Sequence, residues 1–242
     1  MINFKSGRMK VPLRFFGFME LVGHEWLCMS TLLLIDLSAG TGKTYLTSRV
    51  IDEIRHSLKH HPNHEGFAFF YCNRNEPQRR EPLSVLRSFV RQLSTPIRCA
   101  DSIQRELRQF YSESRLDASE PTLDDCEKYL LKFISVYLKT TLILDALDEC
   151  ERDQRHKLIN YFHAFLAKTT RPVKIFVSSR PDSDIKNTFK DVASVEIQAT
   201  DNYDDISKFI SSKIAEHEKW KTMNKAFETE IVNTLQRQSQ GM

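Results

Sequence analysis

A chain of 242 residues, 40% hydrophobic and 28% charged, has the composition of a folded protein with a real core, enough for one large α/β domain or two small ones. A net charge of +3 is too small to argue for nucleic acid or a membrane surface as partner, and no run approaches the ~18 apolar residues that cross a bilayer. The five cysteines (Cys28, Cys72, Cys99, Cys126, Cys150) are scattered without C-x-x-C spacing, which suits reduced, mostly buried thiols in a cytoplasmic protein.

Residues 1–31 keep neither a helical nor a strand period and are left as an unplaced lead-in. Its cations precede Phe15–Met19, but Glu20, His24 and Glu25 interrupt the apolar stretch, so it is not a signal peptide. Leu32–Ile35 is a short buried strand. After the turn Ser38–Tyr45, Leu46, Val50, Ile54 and Leu58 mark a helix that stops at Lys59-His60-His61-Pro62. Phe67–Cys72 reads as a strand buried on both faces. The polar turn Asn73–Arg80 leads to a helix with Leu86, Phe89, Val90 and Leu93 on one side. A second helix is expected over Ala100–Leu116, and Thr122 with Asp125 forms a capping box for a third. Thr141–Leu144 is a strand ending in Asp145, followed by a helix over Gln154–Ala167. Val173–Val177 is a strand running into Ser178-Ser179-Arg180-Pro181, and Val192–Ile197 is a weaker one, expected at an edge. Two helices close the chain, one from Asn202 with Ile206, Phe209, Ile210 and Ile214, the other with Phe227, Ile231 and Leu235. Strands alternating with helices predict a parallel sheet covered on both faces.

Three strings carry chemistry. In S-A-G-T-G-K-T-Y, a glycine-rich turn between strand and helix is the arrangement that cradles phosphates. Backbone N–H groups of Gly40, Thr41, Gly42, Lys43, Thr44 and Tyr45 would point at the anion, Lys43 would reach the β- and γ-phosphates, and the Thr44 hydroxyl would ligate Mg²⁺. The full pattern wants a glycine five residues before Gly42, where this chain has Leu37. In L-I-L-D-A-L-D-E, an apolar strand delivers Asp145 to the sheet's C-terminal edge to hold Mg²⁺ opposite Thr44. Small Ala146 leaves room there, and Asp148 and Glu149 are spaced to orient or deprotonate water. In S-S-R-P, Arg180 would contact the γ-phosphate. The remaining clusters read as surface: His60, His61 and His64 form a solvated turn without ligand partners, and Arg79, Arg80, Arg87 and Arg91 lack interleaved aromatic platforms for nucleic acid.

These strings, with F-A-F-F-Y-C and L-R-S-F-V-R-Q-L between them, resemble a NACHT-type STAND P-loop NTPase, most closely those of fungal NLR-like proteins and the nephrocystin-like N-terminal region, over roughly residues 38–242. The resemblance implies an α/β three-layer sandwich with a five-stranded parallel sheet in order 5-1-4-3-2 and a small helical C-terminal extension. It implies an NTPase domain over 32–200 and the start of the extension over 201–242. Carried over by position, Lys43 and Thr44 match the Walker A residues, Asp145 the Mg²⁺ aspartate, Asp148 and Glu149 the extended Walker B acids, and Arg180 the sensor arginine.

The implied function is binding and slow Mg²⁺-dependent hydrolysis of ATP or GTP as a signalling switch. The partners are the nucleotide and, in a full-length parent, other protein domains or further copies; nucleic acid and membrane are not among them. Nothing before Ser38 looks like the family, so the chain is expected to be a gene fragment with residues 1–37 read from non-coding sequence. Leu37 favours a competing reading, a non-catalytic interaction module that binds nucleotide weakly or not at all. A small-molecule kinase is a third, opposed by the helical insertion between Leu83 and Leu138 and the lack of an arginine-rich lid.

Overall fold

The computed structural model of the chain describes residues 8–10, 30–37, 42–60, 65–94, 105, 108, 112, 120–197, 203–216 and 224–239. Its centre is set by three runs too apolar on both sides to face water: β2 (Thr31–Leu37), β4 (Lys139–Asp145) and β5 (Val173–Ser179), the last buried at every residue. With β1 (Arg8–Lys10), β3 (Glu65–Tyr71) and β6 (Ala193–Ile197) they form one sheet in the order β1-β6-β2-β5-β4-β3, every pairing parallel. Counted from the strand before the glycine-rich turn, β2 to β6 run 5-1-4-3-2, the order the resemblance implied. The sixth strand corrects one expectation. β6 is not an edge, because Arg8–Lys10 pairs along it from within the lead-in.

Alternate residues of β2 supply two cores. Leu33, Ile35 and Leu37 pack with Ile143, Phe176 and the helix α1 (Lys43–His60), through Leu46, Val50 and Ile51. Leu32 and Leu34 face the larger core built with α2 (Pro82–Leu93), α3 (Leu123–Val136), α4 (Arg155–Lys168) and the short α5 (Ser183–Thr188). The predicted capping box opens α3: Thr122 Oγ1 accepts the Asp125 N–H at 3.2 Å, and Asp125 Oδ2 accepts the Thr122 N–H at 2.9 Å. At the outer strand, the Gln92 carboxamide accepts the Phe69 N–H at 3.1 Å and donates to the Phe69 carbonyl at 2.7 Å. The helices α6 (Tyr203–Glu216) and α7 (Lys225–Ser239) follow, and Phe227 and Leu235 on α7 are exposed rather than buried as a stripe. The expected helix over 100–116 lies outside the described residues apart from 105, 108 and 112, which are helical.

Leu37 has a structural reason. It ends β2, pairs with Ile197 and is fully buried in the core shared with α1, so the position where the pattern wants a glycine belongs here to the strand. Leu37→Gly, which restores the family pattern, is expected to lower stability by about 3–5 kcal/mol through a cavity and a freer backbone. An unchanged urea midpoint would show that this side chain is not part of the core.

The cysteines that the structure describes, Cys72, Cys126 and Cys150, are free and buried as expected. Burial pushes the Cys126 thiol up to about 11 from an ordinary value of 9.0. The folded chain therefore holds this proton longer than the unfolded one, so the stabilisation is full below pH 9.0 and is lost as pH rises through about 11. At pH 8 iodoacetamide is expected to leave Cys126 unmodified in the native protein and to alkylate it in urea, as read by mass spectrometry of the peptides.

Candidate functional site

Parallel strands deliver their C-terminal residues to one edge, and here β4 and β5 bring two of the three strings together. Asp145, the last residue of β4, is only 1% exposed, a costly place for a carboxylate without partners. Three hydroxyls satisfy it. Thr44 Oγ1 donates to Oδ2 at 2.9 Å, while Thr47 Oγ1 and Ser178 Oγ donate to Oδ1 at 2.6 and 2.5 Å. Ser178 Oγ in turn accepts the N–H of Ala146 at 3.0 Å. Thr47 and Ser178 have no place in the sequence motifs as ligands to Asp145. Thr47 lies one helical turn beyond Lys43, and that spacing was the available signal.

The chain leaves β4 through an unusual residue. Ala146 sits at φ 57°, ψ 54°, the left-handed region that a Cβ disfavours. That turn starts a short 3₁₀ segment, Leu147–Glu149, and carries Asp148 back toward the sheet edge. Gly42 uses the same region at φ 78°, and its carbonyl accepts the Leu46 N–H at 2.9 Å, an early bond of α1.

Asp148 is the charged hub. Its side chain is 2% exposed and faces Lys43 Nζ at 3.3 Å, Arg180 Nε at 3.4 Å and an Arg74 guanidinium nitrogen at 3.7 Å. The Arg180 backbone N–H adds a bond at 3.0 Å. Burial holds the Lys43 ammonium below the usual lysine range; Asp148 beside it pushes it up and the Arg180 charge pushes it down. Glu149 has lighter company, accepting the Arg74 N–H at 3.4 Å. Two further contacts, unforeseen from sequence, hold the arginine loop. Buried Arg155, at the start of α4, lies 3.1 Å from Asp182 and 3.3 Å from Asp184, just beyond Arg180.

The structure thus brings Lys43, Thr44, Asp145, Asp148, Glu149 and Arg180 to one edge. Gly40 and Thr41 lie outside the described residues, as do His61 and His64, and the Tyr45 side chain is exposed. Among the described residues no cluster of three or more His, Cys, Asp and Glu could hold a metal alone. The Thr44–Asp145 pair nevertheless fits Mg²⁺, which takes hard oxygens from one or two side chains and the rest from phosphates and water. Of the arginines read as surface, Arg79 donates to the Tyr71 carbonyl, Arg80 pairs with Glu151 and Arg87 with Glu120. No helix among the described residues is long and apolar enough to cross a membrane.

Residues 22–180 match the family described as Nephrocystin 3, N-terminal. The match starts ahead of Ser38 and takes in β2, which corrects the expectation that nothing upstream of Ser38 resembles the family. A relative, vegetative incompatibility protein HET-E-1 of Podospora anserina, is 29% identical over 192 residues, 76% of this chain and 14% of that protein. Among solved structures the chain is similar to the Aeropyrum pernix ORC1 protein, solved in complex with DNA (TM-score 0.49, 12% identity, 78% of this chain and 50% of that one). It is also similar to the Walker-type ATPase PABY2304 of Pyrococcus abyssi (TM-score 0.48, 11% identity, 88% of this chain and 61% of that one). The chain therefore spans a small part of the first relative and about half of the solved chains.

The left-handed Ala146 carries a steric cost of about 1–2 kcal/mol that glycine would not, against the extra freedom glycine has when unfolded. Ala146→Gly is expected to stabilise the domain by about 0.5–1 kcal/mol. A urea midpoint that falls would mean the methyl group contributes packing that outweighs its strain.

Proposed function

The chain belongs to the nephrocystin 3 N-terminal family, and on that footing we propose that it binds a nucleoside triphosphate and hydrolyses it slowly with Mg²⁺. The observation that carries the reading is the Thr44 hydroxyl 2.9 Å from the Asp145 carboxylate, beside a buried acid that gathers Lys43 and Arg180. In this reading Thr44 and Asp145 hold the metal, whose chemistry is to neutralise charge on the phosphate oxygens. Lys43 and the N–H groups from Gly40 to Tyr45 bind the phosphates, and Arg180 meets the γ-phosphate. Asp148 has its oxygens engaged by donors and serves to hold those cations in place. Glu149, whose carboxylate accepts one long hydrogen bond among the described residues, is the acid left to orient water. Hydrolysis would reset a conformational state in an NLR-like cytoplasmic signalling protein whose other domains or further copies are the partners.

The second reading, an interaction module without turnover, is favoured by Leu37, whose buried side chain replaces the first glycine of the loop. One experiment separates the two. Fluorescent ATP and GTP analogues are titrated with and without Mg²⁺ into the wild type and into Lys43→Ala. Mg²⁺-dependent binding that weakens at least tenfold in Lys43→Ala is expected, and the tighter analogue identifies the base. A folded wild type that binds neither analogue would leave the module reading.

A further inference from the structure

The motifs pass over Arg74, which lies beyond the end of β3 in the loop toward α2. That loop is pinned to the site by its backbone. The Cys72 N–H donates to the Asp145 carbonyl at 3.0 Å, the Asn73 N–H to the Arg79 carbonyl at 3.0 Å, and the Arg74 N–H to Glu149 Oε2 at 3.4 Å. Arg79 Nε returns to the Tyr71 carbonyl at 3.1 Å and closes the loop on itself. The Arg74 guanidinium therefore starts from a fixed point. It approaches Asp148 Oδ2, the same oxygen that Arg180 Nε approaches, while Lys43 sits on Oδ1.

Charge balance gives this crowding a direction. Three cations, Lys43, Arg74 and Arg180, face two acids, Asp148 and Glu149, which leaves one positive charge over at this corner. Asp145 at the same edge offsets that charge formally, but its partners are hydroxyls and its charge stays available for a divalent cation, whose binding would leave the corner positive again. Both arginine side chains are about half exposed, at 56% and 47%, while the acid beneath them is 2% exposed. They can turn from the carboxylate to an arriving anion without unpacking the core. A planar guanidinium suits the oxygens of the γ-phosphate, which a nucleoside diphosphate lacks.

We infer that Arg74 is a third phosphate-binding cation, acting beside Arg180 on the terminal phosphate, and that it gives the site its preference for triphosphate over diphosphate. The inference rests on the nucleotide-binding reading above. The bland alternative is an exposed ion pair that contributes little to anything.

The test measures dissociation constants for β,γ-imido analogues of ATP and GTP and for ADP and GDP, with Mg²⁺. The proteins are the wild type, Arg74→Gln, Arg74→Lys and Arg152→Gln, the last altering an arginine that is 68% exposed and near Asp184 instead. Arg74→Gln is expected to weaken triphosphate binding about ten- to a hundredfold, the range for one charge-assisted hydrogen bond, and diphosphate binding less than about threefold. Arg74→Lys should recover part of the loss, and Arg152→Gln should match the wild type, with thermal midpoints confirming that all four fold. Equal weakening of both nucleotides, or no change in either, with a wild type that binds would overturn the role of Arg74 alone. A folded wild type that binds no nucleotide would overturn the binding reading and this inference with it.

Discussion

The arrangement of the site depends on one buried carboxylate that is satisfied by hydroxyls and not by a cation. Asp145 takes Thr44 and Thr47 from α1 and Ser178 from β5, so one side chain fixes the first turns of the helix against two central strands. The identity of the donors matters as much as their number. A guanidinium in the same place would neutralise the carboxylate, whereas neutral hydroxyls leave its full charge for a cation and can rotate when one arrives. Three residues later, Asp148 is treated in the opposite way, being surrounded by cations. Two acids in one short string are thus sorted by their neighbours, one suited to attract a metal ion and the other to assemble positive charge for an anion.

Between them stands Ala146, and its backbone explains how acids so close in sequence acquire such different surroundings. A residue continuing the strand would carry the chain onward past the edge. The left-handed turn brings it back, placing Leu147 in the large core and Asp148 under Lys43. Arg155 with Asp182 and Asp184 then fixes the other side, so the arginine loop and the acidic turn are both tethered to the start of α4.

Much of this was legible in the sequence for a plain physical reason. Strands buried on both faces must be continuously apolar, so β2, β4 and β5 stand out, and the motif residues at their ends are placed by the sheet itself. What was not legible fails for reasons just as specific. Arg8–Lys10 is too short to display a period, so neither the strand nor the inward place of β6 could be read. Thr47 looks like any polar residue of a helix until its buried partner 98 positions away is known. Arg74 and Arg155 look like surface charges, because ion pairs between distant segments leave no spacing to count. In sequence Leu37 is only a departure from a pattern; its pairing with Ile197 shows that it is the last residue of β2.

The contact between Gln92 and Phe69 has a consequence for how another chain could approach this flank. An outer strand with free peptide groups is a template on which another strand can add, the route to ladder growth and fibrils. By offering both an acceptor and a donor to one residue of β3, the carboxamide imitates a neighbouring peptide and occupies the place where such growth would start. Contact across this flank near Phe69 must then be made side chain to side chain, with a register dictated by shape and charge. Under the proposed switch function such a restriction would be useful, because side-chain contacts can be undone without melting a strand.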